Sequence, residues 1–189
     1  MFYPFKQLMI LALLVLAGCA AQPVVKVPSA EQEATAQRFL HQVGVGELAI
    51  RGYRDELQRM AREQPGMAEL VERVFADFKP RRFEQMAATV YARHLSLEHL
   101  SELEQYSRRP AIKRFFAVIF EAIASGEPVD NQALMRQFNA DELTEIMRFS
   151  SSESVTALKQ VQAQINQELS EASRQYAEAA FARYMKQQK

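Results

Sequence analysis

Apolar side chains recur at helical spacing along this chain from residue 29 to its last residues. The clearest stretch follows Gly66, where apolar positions repeat every three or four residues: Met67, Leu70, Val71, Val74, Phe75 and Phe78. The alternating Val, Ile and Thr runs that are typical of strands do not occur from residue 29 onward. The pattern therefore predicts an all-α protein, folded as a compact multi-helix bundle.

Capping residues, glycines and prolines divide this pattern into separate helices. Ser29, with Gln32 three positions later, has the pattern of a capping box at the start of the first helix. Gly44 and Gly46 are expected to close that helix. Three further helices are predicted over about residues 47–63, 67–78 and 81–94.

An internal repeat follows these four helices. Residues 95–107 align with residues 138–150 at an offset of 43 positions, and the second copy extends over about residues 138–189. In each copy an N-cap residue, Ser96 or Asn139, is followed by an acid in the first turn and by apolar residues at helical spacing. A tight turn and a longer helix come next, so the sequence predicts two copies of a short-helix/turn/long-helix unit.

The two long helices have different expected positions. The first starts at Pro110, is apolar on nearly all sides and is predicted to be the central core helix. The second is capped by Ser152 and runs to the C-terminus as a long C-terminal helix. It either lies across the bundle or forms a seam with an envelope protein or with a second copy of the chain as a homo-oligomer.

The N-terminal residues have the pattern of a secretory signal peptide. A basic start is followed by an apolar run over residues 8–16 and by two small residues. The end of this segment, Leu16-Ala17-Gly18-Cys19, resembles the lipobox of bacterial lipoproteins. The resemblance implies cleavage before Cys19, lipidation of its thiol with palmitate-like chains and anchoring in the membrane by these acyl chains. Ala20, and not Asp, follows the cysteine, which resembles the sorting pattern of enteric lipoproteins and implies the inner leaflet of the outer membrane, with the protein facing the periplasm.

Cleavage there would divide the chain into three parts. These are a signal peptide over residues 1–18, an acylated cysteine with a tether over residues 19–29, and a single all-α domain over residues 30–189. The chain balances 23 basic against 23 acidic residues, so it lacks the net basic charge of a nucleic-acid-binding protein. A single cysteine also excludes an internal disulfide.

One segment carries a family resemblance. Residues 91–100 read Tyr-Ala-Arg-His-Leu-Ser-Leu-Glu-His-Leu, and Leu103, Tyr106, Pro110 and Lys113 follow. This pattern resembles the signature of the bacterial family known as domain of unknown function 2059, and a weaker likeness covers about residues 34–123. The resemblance implies an all-α secreted or envelope domain and supplies no reaction and no catalytic residue.

No set of side chains has the spacing of a known catalytic or metal site. His41, His94 and His99 fall on different predicted helices or at their ends, and no His-Glu-x-x-His motif or Gly-rich phosphate loop occurs. Each repeat has two carboxylates one turn apart, which the helix dipole explains: Glu98 with Glu102, and Asp141 with Glu145. We therefore expect no enzymatic activity, no cofactor and no metal.

A basic cluster at the turn before Pro110 is the candidate partner contact. It consists of Arg108, Arg109, Lys113 and Arg114. Either a solvated helix end or a contact with an anionic glycan, a lipid head group or an acidic protein patch accounts for this cluster. Cations at the start of a helix oppose its dipole, which is the one feature that favours a contact.

Two functional hypotheses follow from these observations. The leading one is a non-enzymatic, lipid-anchored helical module that acts in the envelope as an interaction or accessory protein. The alternative is a periplasmic carrier of a small apolar ligand or lipid, because ten Phe and six Met follow residue 18. A cell-wall-acting enzyme is a third and weaker alternative.

Overall fold

A computed structural model describes residues 27–76, 78–125 and 131–187. Within these residues nine α-helices and no strand occur, which confirms the predicted all-α fold. The helices are α1 (Ala30–Gln42), α2 (Val45–Glu63), α3 (Pro65–Val74), α4 (Pro80–His94), α5 (Leu97–Ser107), α6 (Pro110–Ser125), α7 (Asn131–Met135), α8 (Ala140–Ser150) and α9 (Glu153–Gln187). The sequence pattern predicts all of these except the five-residue α7.

Helices α1 and α4 form the centre of the bundle. The predicted capping box is present at the start of α1, where Ser29 and Gln32 each accept a backbone hydrogen bond from the other. Helix α1 packs against α4 and α5, and α4 also packs against α2 and α9. Leu40 of α1 and Ala87 of α4 are completely buried, so this helix pair supplies the deepest part of the core.

The turn between α1 and α2 corrects the prediction for Gly46. Gly44 has a φ angle of 80°, the left-handed conformation that glycine adopts without strain, and it follows the end of α1 as expected. Gly46 does not close a helix but lies in the first turn of α2. A Cβ at this position would come within 2.6 Å of Glu84 Oε1 and 2.7 Å of the Pro80 carbonyl oxygen. The glycine is required there because α4 approaches α2 closely.

The predicted helix over residues 67–78 is wrong at both ends. Helix α3 begins at Pro65 and ends at Val74, so Phe78 lies beyond it. The backbone turns instead, with the Phe78 N–H donating a hydrogen bond to the Phe75 carbonyl oxygen. This turn brings both phenylalanine rings against Tyr176 of α9, at centroid distances of 6.0 and 5.3 Å. Packing of the aromatic rings therefore replaces the continued helix.

The structure confirms the duplicated unit. Helices α5 and α8 have 11 residues each, and their boundaries coincide at the offset of 43 positions. Two-residue turns connect them to the longer helices α6 and α9. Ser96 and Asn139 are the predicted N-caps, and each side chain accepts a hydrogen bond from the backbone three residues later.

The two units pack on each other reciprocally. Helix α5 of the first unit contacts α9 of the second, and α8 of the second unit contacts α6 of the first. Tyr106 and Phe149 are equivalent in the repeat, and their ring centroids lie 5.4 Å apart. Glu102 accepts a hydrogen bond from a backbone N–H in the first turn of α9, and the equivalent Glu145 pairs with Arg109 just before α6. Such contacts are those of two copies related by an approximate twofold axis.

Helix α6 is less central than its composition predicts. Ile112, Phe116 and Phe120 form one buried stripe, whereas Ala117 and Glu121 are exposed. The helix packs mainly against α8 and also contacts α2 and α5. Because α1 and α4 occupy the centre, α6 closes one side of the bundle.

Helix α9 crosses the bundle, which is one of its two predicted arrangements. The Ser152 hydroxyl accepts a hydrogen bond from the Val155 N–H at 3.3 Å, so the predicted cap is present. The helix contacts α4, α5 and α8, and also reaches α3. Its buried apolar positions extend over most of its 35 residues: Val155, Leu158, Ile165, Leu169 and Ala180. None of the described helices combines the length and the apolar character that crossing a membrane requires.

Candidate functional site

An apolar cavity of about 280 Å³ lies between α1, α4, α6 and α9. Seven aromatic rings line it: Phe39, Phe83, Tyr91, Phe115, Phe116, Phe120 and Phe149. Aliphatic side chains complete the wall: Leu40, Val43, Val45, Ala87, Val155, Leu158 and Leu169. An apolar cavity of roughly 150 Å³ stays dry and binds benzene, so this one is large enough for a small apolar molecule.

The cavity arises where rigid rings from several helices meet. The ring of Phe116 lies with its centroid 6.3 Å from that of Phe39 and 5.8 Å from that of Phe149. Such rings have few rotamers and pack edge to face, so they cannot adjust to fill every gap between helices. Ala87 contributes only a methyl group to the wall. The small side chain at this position leaves part of the space between the helices unfilled.

Polar side chains lie along one edge of the cavity. Ser150 is the last residue of α8, and Lys159, Gln162 and Asn166 follow one another at helical spacing on α9. The Gln162 Nε2 atom donates a hydrogen bond to Asn166 Oδ1 at 3.0 Å. Lys159 is exposed and forms no ion pair with any described residue. We call these four residues the polar rim.

Tyr91 contributes one further polar group to the wall. The residue is 9% exposed, and burial raises the pKa of its hydroxyl to about 12, so the group is neutral at physiological pH. Within the described part of the chain, this hydroxyl has no hydrogen-bonding partner. The hydroxyl is not a buried unpaired atom, since among the described residues only Gln164 Oε1 is one, so water can reach the Tyr91 hydroxyl from the cavity.

The predicted partner contact does not belong to this cavity. Arg108 pairs with Glu104, while Arg109 pairs with Glu145 and lies over the Tyr106 ring at 4.6 Å. Neither cation lines the cavity. The pair between Arg109 and Glu145 joins the two repeat units, which gives this cation a structural role at a helix start despite the dipole.

The other two cations of the cluster differ from each other. Arg114 pairs with Glu142 at 2.7 Å and also donates a hydrogen bond to the Gln137 carbonyl oxygen at 2.8 Å. Lys113 is exposed and forms no ion pair with the described residues. Three of the four predicted contact residues thus have intramolecular partners. A role of the cluster in binding a partner stays a prediction.

Glu104 is the acid most affected by this cluster. Its side chain is 8% exposed and accepts hydrogen bonds from Arg108 and from Arg38. Burial alone would raise the pKa of this carboxyl, but the two guanidinium groups together outweigh burial and lower the pKa below its ordinary value of 4.5. The ionised carboxylate therefore stabilises the fold, and this contribution is lost as the pH falls below 4.5 toward the lowered pKa.

A Glu104→Gln variant tests this contribution. We expect it to lower the free energy of unfolding at neutral pH by on the order of 1 kcal/mol, a modest value because both arginines are half-exposed. The difference from the parent chain should shrink as the pH falls below 4.5. Urea unfolding of both chains over this pH range measures it. A difference that does not change with pH contradicts the assignment.

Two of the three candidate histidines have structural partners. His41 Nδ1 lies 3.2 Å from the buried Glu84 carboxylate, and His94 Nε2 lies 2.8 Å from Glu168. No group of three or more His, Cys, Asp or Glu in the described ranges could hold a metal ion. Cys19, the predicted lipidation site, lies outside the described residues.

Comparisons with known proteins add no relative. No family model, no curated protein and no solved structure matches this chain. The resemblance of residues 91–114 to domain of unknown function 2059 therefore stays a prediction that rests on those residues.

The polar rim is the feature that sequence reasoning missed. A signal for it does exist in the sequence, because Lys159 is the only charged residue between Glu153 and Glu168. A single cation in an otherwise uncharged stretch of an exposed helix is unusual, since solvent-exposed helix faces normally carry several charges. The periodicity alone could not indicate that this stretch lines a cavity.

Proposed function

We propose that this protein is a non-enzymatic, lipid-anchored envelope module that binds a small apolar ligand on the periplasmic side. The observation that carries the ligand-binding part is the apolar cavity of about 280 Å³. Binding pockets for small molecules are mostly apolar, with a few polar groups that orient the ligand. The lipobox resemblance of residues 16–19 supports the anchoring part, and the family resemblance supports an envelope location.

The composition of the cavity favours binding over catalysis. Among the described residues, no carboxylate and no histidine lines it, and its titratable groups are Lys159 and Tyr91. What the lining offers is apolar area, which stabilises a bound apolar molecule by roughly 25 cal/mol per Å² removed from water. A module that shelters an apolar molecule from the aqueous periplasm fits these properties.

Interaction with an envelope protein through α9 remains a second proposal. Phe181 and Met185, one turn apart near the end of α9, are 46% and 47% exposed. Large apolar side chains on a helix surface favour contact with another apolar surface. Photocrosslinking from position 181 in living cells tests this, and repeated capture of nothing contradicts it.

Filling the cavity is expected to abolish ligand binding. Ala87→Leu adds three carbon atoms at a completely buried wall position, so a photoreactive decanol should label the cavity at least tenfold less than in the parent chain. The measurement is mass spectrometry of labelled peptides from the full chain in phospholipid vesicles. Val155→Phe provides a second filled variant on another helix, in case the first does not fold.

Ala117→Leu is the matched control for this experiment. It makes the same chemical change on an exposed face of α6 that does not line the cavity, so labelling should equal that of the parent chain. Labelling of the cavity peptides that persists in both filled variants contradicts the proposed function. Circular dichroism of each variant shows that the helical fold is retained.

A further inference from the structure

We infer that the ligand is a single-chain amphiphile with an anionic head, which places its chain in the cavity and its head at Lys159. This inference rests on the proposed function and names the ligand class of the same site. It follows from the volume of the cavity and from the charge and the polar groups of its lining.

The dimensions of the cavity favour one extended chain. The α9 residues that line it run from Val155 to Leu169, which corresponds to about 21 Å along the helix axis. Scaling from the cavity that holds benzene gives room for on the order of ten carbon atoms. A lipid with two long acyl chains does not fit this volume. A single acyl or alkyl chain that lies along α9 does.

The charge of the rim favours an anionic head. Lys159 is the only charged residue between Glu153 and Glu168, and it forms no ion pair with any described residue. Its side chain lines the cavity while the residue is exposed. A carboxylate or phosphate at this position would meet a cation whose charge no neighbouring acid neutralises, and would remain in contact with water.

The polar groups of the wall favour a ligand with oxygen atoms over a pure hydrocarbon. Tyr91 lies in the cavity wall, and its hydroxyl makes no hydrogen bond to a described residue. The Gln162 and Asn166 amides bond to each other and retain further donor capacity. An oxygen-bearing ligand can accept hydrogen bonds from these groups, whereas an alkane leaves them unpaired.

Competition between two ligands of equal chain length tests the role of the head. The full chain in vesicles of a zwitterionic phospholipid is labelled with photoreactive decanoate, and unlabelled decanoate or decanol is added as competitor. We expect Lys159→Gln to weaken competition by decanoate, measured relative to decanol, about fivefold compared with the parent chain, the upper range for an exposed ion pair.

Lys186→Gln is the matched control, because it removes a lysine from the same helix at a position that does not line the cavity. This variant should keep the decanoate-to-decanol competition ratio of the parent chain. Partition of each competitor into the vesicles is the same for all three chains, so it cancels in the comparison between them.

The outcomes separate this inference from the proposed function. Labelling of the cavity with a decanoate-to-decanol competition ratio that does not change in Lys159→Gln overturns the anionic head alone. No labelling of the cavity by either probe overturns the proposed function as well. A photoreactive anionic lysophospholipid with the same chain distinguishes the two sources of such a ligand, a free fatty acid and a membrane lipid. Preferential labelling by either source supports the inference.

Discussion

Replacing Cys19 by alanine is expected to abolish acylation of the protein and to remove it from the outer membrane. The lipobox resemblance implies that this thiol is the attachment point of two acyl chains. Each buried methylene group contributes about 0.8 kcal/mol to membrane binding, so two chains hold a protein where one gives only marginal binding. The formal balance of 23 basic and 23 acidic residues supplies no electrostatic attraction to replace them.

Metabolic labelling with an alkyne analogue of palmitate measures this change directly, together with the mass of the mature chain and density-gradient separation of the two membranes. The parent chain should incorporate the label and begin at residue 19. The alanine variant should do neither. Ala20→Ser is the matched control, since it leaves residues 16–19 intact and should keep both properties. Label incorporation that persists in Cys19→Ala contradicts the lipoprotein hypothesis.

Most of the helices could be predicted because their signals are local. A capping residue such as Ser29 or Asn139 makes its hydrogen bonds within one turn, so its role is evident from residues three positions apart. The repeat is equally visible, because the same short helix occurs twice at a fixed offset. Such features depend on neighbours in the chain and not on the tertiary arrangement.

The errors concern positions where tertiary packing overrides local pattern. A glycine at position 46 is typical of a helix end, but here a larger residue is excluded because its Cβ would meet the Glu84 carboxylate of another helix. Phe78 continues the apolar spacing of α3, yet it lies beyond the helix end, where its ring packs 5.3 Å from that of Tyr176, nearly a hundred positions later. No window of the sequence contains both partners of these pairs.

The cavity has the same origin. The abundance of phenylalanine is compatible with a filled core or with a cavity, and only the mutual placement of rings such as Phe39, Phe116 and Phe149 shows that a cavity is present. Lys159 likewise becomes informative only once α9 is known to line the cavity. The composition therefore suggested a carrier, but the position of the cavity and its polar rim are evident only from the folded structure.

The reciprocal contact between the two repeat units also joins both of them to helix α1. Phe116 of the first unit touches Phe149 of the second, and its ring also meets Phe39 of the central α1. One side chain thus connects both copies of the unit to the first helix. Loss of that ring should affect the whole fold and not one helix.

Phe116→Ala is therefore expected to lower the free energy of unfolding by about 3–5 kcal/mol, a large part of the roughly 5–15 kcal/mol that holds a domain of this kind folded. The ring is 7% exposed, so nearly all its apolar area is lost from the core. The space it leaves joins the existing cavity of about 280 Å³, and the surrounding rings from other helices limit its collapse. Urea unfolding followed by circular dichroism measures the change.

Phe181→Ala, which removes the same ring from a position 46% exposed on α9, should change the unfolding free energy by less than about 0.5 kcal/mol. Equal losses in the two variants would show that Phe116 does not hold the repeat units together.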